Sequence, residues 1–112
     1  MISISYTHEF KRNLRHLLKK YPHIRQDIEP VIQSLQNGEI PGDQIQHLGY
    51  TIYKLRVKNS DIKKGKSAGY RVIYYLKINT EIILVSVYAK SEQADITANE
   101  IKSIIEQHNN ES

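Results

Sequence analysis

One apolar run limits the folds that are open to this chain. Residues 82 to 88 read I-I-L-V-S-V-Y, so only one of the seven side chains is small and polar. Alternate side chains of a strand point to opposite faces of a sheet, so a strand of this composition is covered on both faces. We therefore expect a central β-strand here. A chain of 112 residues suits a single domain built around it.

Other strands are indicated by alternation. Residues 51 to 58 place apolar side chains on one side and basic side chains on the other, which is the period of two typical of a strand. Residues 69 to 77 are predicted to form a second strand, and Asn79-Thr80 lies in a short connection that predicts a hairpin with the central strand. Residues 2 to 6 alternate as well and predict a short N-terminal strand. Residues 38 to 50, with three glycines, are expected to form a loop.

Helical spacing precedes the loop. Thr7 can cap a first helix, which should end near Tyr21 because Pro22 disfavours helical geometry in the residue before it. A second helix follows and ends at Asn37-Gly38. Pro30 lies inside its pattern and should kink the helix or divide it into two pieces. The two helices are expected to pair as an antiparallel hairpin.

A last helix is predicted after residue 97. Residues 97 to 100 read T-A-N-E, which fits a capping box, and the apolar stripe that follows is narrow. We expect this helix to dock loosely and residues 109 to 112 to fray. The element order is then β-α-α-β-β-β-α in one domain over residues 1–112. The expected fold is α+β, with an antiparallel-rich sheet packed on the helical hairpin and the other sheet face carrying Lys54, Arg56 and Lys58.

Positive charge is concentrated in one part of the chain. Seven of the 16 Lys and Arg residues fall between positions 54 and 71, where Asp61 is the only acid. Such a patch favours a polyanion, above all nucleic acid, although lysines that protect an edge strand would look the same. Arg71 is unusual because it lies inside a strand pattern. It either binds an anion or forms an ion pair with Glu81, Glu92 or Asp95.

Several kinds of site are excluded. The chain has no cysteine, its histidines lack metal-ligand spacing, and G-K-S at residues 65–67 lacks the context of a phosphate loop. We therefore predict no metal and no cofactor. No apolar run approaches the roughly 20 residues that span a membrane. The N-terminus lacks the layout of a signal peptide, so a cytoplasmic protein without a membrane partner is expected.

A basic face of this kind can bind phosphates and can also cleave RNA. The 2′-hydroxyl attacks the adjacent phosphorus, and fixed cations stabilise the negative charge that develops on the phosphate oxygens. Tyrosines can stack on unpaired bases. This chemistry needs no metal.

Three segments of the sequence form a recognisable set: Y-K-L-R-V at residues 53–57, G-K-S-A-G-Y-R-V-I-Y-Y at residues 65–75 and V-S-V-Y-A-K-S-E-Q-A-D-I at residues 85–96. Together they resemble the RelE/ParE superfamily of bacterial toxins, in its RelE-like and HigB-like branch. The resemblance covers nearly the whole chain. It implies the toxin of a type II toxin–antitoxin system, a metal-independent endoribonuclease that cuts mRNA in the decoding site of the ribosome. It also implies a cognate antitoxin, through which alone the protein would contact operator DNA.

The resemblance assigns roles to particular residues. The catalytic residues it implies are Lys54, Arg56, Arg71 and Lys90. The residues expected to bind RNA are Lys58, Lys63, Lys64, Lys66, Tyr75 and Tyr88. The RelE pattern has a proton-transferring tyrosine near position 96, where this chain has Ile96. A lysine, Tyr88 or Glu92 would have to act instead.

Two other functions fit the same sequence. A ParE-like inhibitor of DNA gyrase would have this fold without RNA cleavage, and the missing tyrosine favours it. A plain RNA-binding or structural module without toxicity is the other alternative. Expression in cells separates the three functions. Cleavage of mRNA would indicate the endoribonuclease, DNA damage with intact mRNA would indicate the gyrase inhibitor, and harmless expression of a folded chain would indicate the module without toxicity.

Overall fold

A computed structural model describes residues 1–63, 65 and 68–111. Within these residues the chain forms three helices and five strands. In chain order they are β1 (Ser3–Tyr6), α1 (His8–Lys20), α2 (Ile24–Gln36), β2 (Asp43–Ile45), β3 (Ile52–Val57), β4 (Tyr70–Ile78), β5 (Glu81–Ala89) and α3 (Ala98–Glu111). The predicted α+β class is confirmed, and so is the element order apart from β2. The prediction that residues 38 to 50 form only a loop is wrong, because β2 pairs with β3 there.

The strands form one mixed sheet in the order β1-β5-β4-β3-β2. The four strands β2 to β5 are antiparallel neighbours, whereas β1 runs parallel to β5. Every residue from Ile82 to Ala89 in β5 is buried. The prediction of a central strand covered on both faces is therefore confirmed.

The junction of β1 and α1 is fixed by Thr7. Its side-chain oxygen accepts the Phe10 backbone N–H at 2.9 Å and its hydroxyl donates to the Val85 carbonyl at 2.7 Å. Asn13, farther along α1, accepts hydrogen bonds from the Val87 N–H and the Ser86 hydroxyl. The helix thus satisfies polar groups of β5 beyond the point where β1 ends, as the backbone of a buried strand requires.

The helical hairpin packs on one face of the sheet. Its main buried contributors are Phe10, Leu17, Tyr21, Ile24, Ile28, Val31 and Leu35 from the helices and Tyr70, Val72, Tyr74, Leu84 and Val87 from the strands. Pro30 lies within α2, which is a single helix, so the predicted division into two pieces is wrong. Pro30 is exposed while Ile28 and Val31 beside it are buried, so packing holds the helix together on both sides of the proline.

The opposite face of the sheet is covered by α3. Ile101 and Ile105 are buried against a second cluster that includes Ile52, Ile73 and Val85. The face expected to carry the basic residues of β3 is thus partly covered, because the narrow stripe of α3 suffices to bury part of it. The capping box is confirmed: the Glu100 N–H donates to Thr97 Oγ1 at 3.2 Å, and Glu100 Oε1 accepts the Thr97 N–H at 3.1 Å.

The end of the chain is helical farther than the sequence indicated. Helix α3 continues to Glu111, and Ser112 lies outside the described residues. Fraying of residues 109 to 112 is a statement about motion and stays a prediction.

Candidate functional site

The strand register brings the predicted cations of β3 and β4 onto one face. Arg56 is paired directly with Arg71, and Lys54 is paired with Ile73 two residues farther along. Because alternate residues share a face, Lys54, Arg56 and Arg71 all lie on the side of the sheet that carries α3. The sequence predicted that Arg71 joins the basic residues of β3 if the strand register allows it. The observed register allows it.

Arg71 is the most enclosed of these cations. Its side chain is buried, with 5% of the residue exposed, and its guanidinium donates to the Tyr70 carbonyl at 3.3 Å. On the other side of β4 it is paired with Tyr88 of β5. Arg71 therefore supplies positive charge from beneath the surface, where water screens it less than it screens exposed lysines.

Tyr88 presents its hydroxyl to the site. The residue is buried and its hydroxyl donates to Asp95 Oδ1 at 3.0 Å. Burial, and then the hydrogen bond to Asp95, raises the pKa of Tyr88 to about 12, although the charge of Arg71 acts in the opposite direction. The phenol is thus neutral at physiological pH and acts as a hydrogen-bond donor. A buried ring cannot stack on a base, so only the hydroxyl is placed to contact RNA.

Asp95 joins these groups in space. Its Oδ2 atom lies 3.2 Å from Lys90 Nζ and 3.8 Å from Lys54 Nζ, while Oδ1 accepts the bond from Tyr88. Hydrogen bonds from Lys90 and then Tyr88 hold the pKa of this carboxyl below its usual range. Four cations form the cationic cluster referred to below: Lys54, Arg56, Arg71 and Lys90. Asp95 was predicted only as one of three acids that could satisfy Arg71.

The other acids named for Arg71 pair elsewhere. Glu81 lies 3.8 Å from Lys77 Nζ, toward the far end of the β4–β5 hairpin. Glu92 lies 3.2 Å from Lys20 at the end of α1, and hydrogen bonding to Tyr21 lowers its pKa. Glu92 is therefore engaged with α1, on the other layer, rather than placed for proton transfer at the cationic cluster.

The remaining predicted RNA-binding residues are spread over a wider area. Lys58 and Lys63 are exposed on the loop that follows β3, whereas Lys64 and Lys66 lie outside the described residues. Tyr75 packs edge to face against Tyr50 with ring centroids 5.3 Å apart, four residues along β4 from Arg71. The contacts of these residues with RNA stay predictions. The position of Tyr75 does not support its predicted contact with RNA.

Position 96, where the RelE pattern has a tyrosine, holds a side chain that cannot transfer a proton. Ile96 is half-buried and packs against the apolar cluster beneath α3. Of the groups considered in place of the missing tyrosine, Lys54, Lys90 and Tyr88 lie at the cationic cluster. In the part of the chain that the structure describes, no three His, Asp or Glu side chains are placed to hold a metal ion. No described helix is long and apolar enough to cross a membrane.

A comparison of the sequence with known protein families gives a match over nearly the whole chain. The family described as the RelE toxin of the RelE/RelB toxin–antitoxin system matches residues 6–110. The match includes β2 to β5, only the last residue of β1, all but the last residue of α3, and every member of the cationic cluster. Because the match covers nearly the full length, this chain belongs to the RelE toxin family.

Proposed function

We propose that this toxin cleaves mRNA during translation, within the decoding site of the ribosome. The observation that carries the proposal is the convergence of Lys54, Lys90 and Tyr88 on a single point beside Arg71. Lys54 lies on β3, whereas Tyr88 and Lys90 lie at the end of β5 and just beyond it. Only the strand register places them together, around a position that holds negative charge.

The proposed reaction is transesterification of the RNA backbone. The 2′-oxygen forms a bond to the adjacent phosphorus, the bond from phosphorus to the 5′-oxygen breaks, and a 2′,3′-cyclic phosphate and a 5′-hydroxyl result. One proton leaves the 2′-hydroxyl and one is delivered to the 5′-oxygen. Negative charge grows on the phosphate oxygens in between, which is where fixed cations lower the barrier.

Each member of the site has a role in this proposal. Arg71 stabilises the developing charge from beneath, and Lys54 and Lys90 contact the phosphate oxygens from opposite sides of β4. The exposed side chain of Arg56 holds a flanking phosphate, and Tyr88 donates a hydrogen bond through its hydroxyl. The lysines of residues 58 to 66 guide RNA to the face by their charge. The proton carriers are drawn from Lys54, Lys90 and Tyr88.

The antitoxin is the second partner in this proposal. Membership of the family implies a cognate antitoxin. We propose that an acidic or amphipathic segment of it lies over the cationic cluster or displaces α3, because either contact would block the approach of RNA. Contact with operator DNA then arises only through the antitoxin. Full toxin activity in the presence of the antitoxin would contradict this part of the proposal.

The test is mapping of mRNA ends in cells that express the protein. Induction should produce cuts inside codons of a translated message, and a message without a start codon should stay intact. Arg71→Ala should lose the cuts, whereas Arg25→Ala, which removes an exposed arginine on α2, should retain them. Because Arg71 is buried, the melting temperature of each variant is measured, and Arg71→Lys serves as the variant that keeps the charge.

A specific observation favours a second function. Position 96 holds an isoleucine that packs in the apolar cluster beneath α3, where the RelE pattern has a reactive tyrosine. A gyrase inhibitor on the same fold would not need that tyrosine. Growth arrest with DNA damage and intact mRNA would establish this alternative, and harmless expression of the folded protein would indicate a module without toxicity.

A further inference from the structure

The lysines of the cationic cluster bind a carboxylate that the protein itself supplies. Asp95 contacts Lys54, which lies on β3, and Tyr88, which lies on β5. These strands are separated by β4 and are therefore about 10 Å apart. The Lys54 and Tyr88 side chains reach across this gap to the same Asp95 carboxylate, which lies above β4 on the face that holds Arg71. It occupies the position where Lys54, Lys90 and the Tyr88 hydroxyl all meet an anion.

A carboxylate that stayed in this position would oppose RNA cleavage. The reaction increases the negative charge on a phosphate, and a second negative charge within a few ångströms raises the energy of that state. Asp95 is also a poor candidate for the general base, because the contacts that lower its pKa make it a weak proton acceptor. Its charge and its position are therefore explained better by occupancy of the anion position than by participation in the chemistry.

We infer that Asp95 is an internal substitute for the substrate phosphate, which holds the lysines in place in the RNA-free protein and swings away when RNA binds. The inference rests on the proposed function, because it names what regulates access to the same site. It makes Asp95 a competitor of RNA, so that its removal strengthens RNA binding. A residue that merely supported the site would have the opposite effect.

The structure allows this exchange. Asp95 lies in the irregular segment between β5 and α3, and 47% of its side chain is exposed. The Lys54 and Lys90 side chains are 35% and 34% exposed. Ion pairs with this much solvent contact contribute little to stability, so a phosphate can replace the carboxylate at small cost. The displaced Asp95 moves into water, and the Tyr88 hydroxyl then donates to the phosphate.

The test compares the wild type with Asp95→Asn, which keeps the shape of the side chain and removes its charge. The probe is a short fluorescent single-stranded RNA with 2′-O-methyl groups, which binds but cannot be cleaved. Asp95→Asn should bind it about threefold to thirtyfold more tightly, which corresponds to the release of two exposed lysines. The plot of log K against log salt concentration should be steeper for Asp95→Asn, because in the wild type salt also weakens the lysine–carboxylate contacts that RNA must displace.

Glu81→Gln is the matched control. It changes the net charge by the same amount, but Glu81 pairs with Lys77 toward the far end of the β4–β5 hairpin. Its salt slope should equal that of the wild type. If Asp95→Asn binds RNA as the wild type or Glu81→Gln does, or more weakly, the inference is overturned. It is also overturned if neither the wild type nor Asp95→Asn binds the probe.

The outcomes separate the inference from the proposed function. Cleavage of translated mRNA by the wild type, with no gain of affinity in Asp95→Asn, would overturn the inference alone. Tighter binding by Asp95→Asn in a protein that leaves mRNA intact would support the anion position and overturn the proposed cleavage.

Discussion

Gly69 lies where β4 begins beside the end of β3, and the packing there leaves no room for a side chain. A methyl group on Gly69 would overlap the Val57 carbonyl oxygen and lie 3.1 Å from the Asn59 nitrogen. Both groups are backbone, so the strands would have to separate by about 1 Å. We expect Gly69→Ala to lower the free energy of unfolding by about 2–4 kcal/mol, from overpacking and a weakened hydrogen bond of the strand ladder.

Thermal unfolding followed by circular dichroism measures this effect. A loss of about 2–4 kcal/mol should lower the Tm by roughly 8–16 °C in a domain of this size. Gly65→Ala is the matched control, because among the residues that the structure describes nothing lies within 4 Å of the position that its methyl group would take. It should leave stability unchanged or raise it by up to about 1 kcal/mol, since alanine restricts the unfolded chain. Similar Tm values for the two variants would refute the argument from close approach.

The same displacement should affect activity. The Gly69 carbonyl accepts the Lys90 N–H at 2.9 Å, and Arg71 lies two residues along β4. A shift at Gly69 therefore moves two members of the cationic cluster relative to each other. Gly69→Ala should lose mRNA cleavage even at a temperature where the variant is folded, whereas Gly65→Ala should keep it.

Two further predictions concern stability and pH. Thr7→Ala removes two buried hydrogen bonds, to Phe10 and Val85, and should cost about 1–3 kcal/mol in urea unfolding. Thr7→Ser keeps the hydroxyl and should cost less than half as much, so equal losses would contradict the role of the hydrogen bonds. His23 is hydrogen-bonded to Asp61 at 2.6 Å, which raises its pKa above the ordinary value of 6.5. Its stabilising contribution is complete below that value and is lost as the pH rises through the pKa of the folded state. A titration of the His23 ring by nuclear magnetic resonance should show the raised pKa, and Asp61→Asn should return it toward 6.5; an unchanged midpoint would argue against the contact.

Local signals in the sequence were sufficient for most of the elements. Thr7 and the capping box at Thr97 each use short-range hydrogen bonds whose partners are fixed by spacing, so both helix starts could be predicted. The seven-residue apolar run predicted a strand covered on both faces, because the side chains at alternating positions are nearly all apolar. By contrast, β2 has only three residues and no alternation of its own. The strand forms because its backbone pairs with β3.

The site could be predicted only in part, because its geometry depends on register. The composition of residues 54 to 71 indicated a basic face, but the pairing of Arg56 with Arg71 follows from how β3 aligns with β4. Asp95 was named only as one of three acids that could pair with Arg71, since a single acid in a polar loop has no period that would distinguish it. Its role becomes visible only when Lys54 and Lys90, 36 positions apart in the chain, are seen to meet at it.

The parallel pairing of β1 with β5 has a consequence for when the sheet can be completed during synthesis. The hydrogen bond between Thr7 and Val85 joins residues that are 78 positions apart, whereas the hairpins of β3, β4 and β5 join near neighbours in the chain. Long loops close at a higher entropic cost and more slowly than short ones. A nascent chain that ends before Val85 cannot form the N-terminal edge of the sheet. The sheet therefore cannot be completed at β1 until β5 has been synthesised.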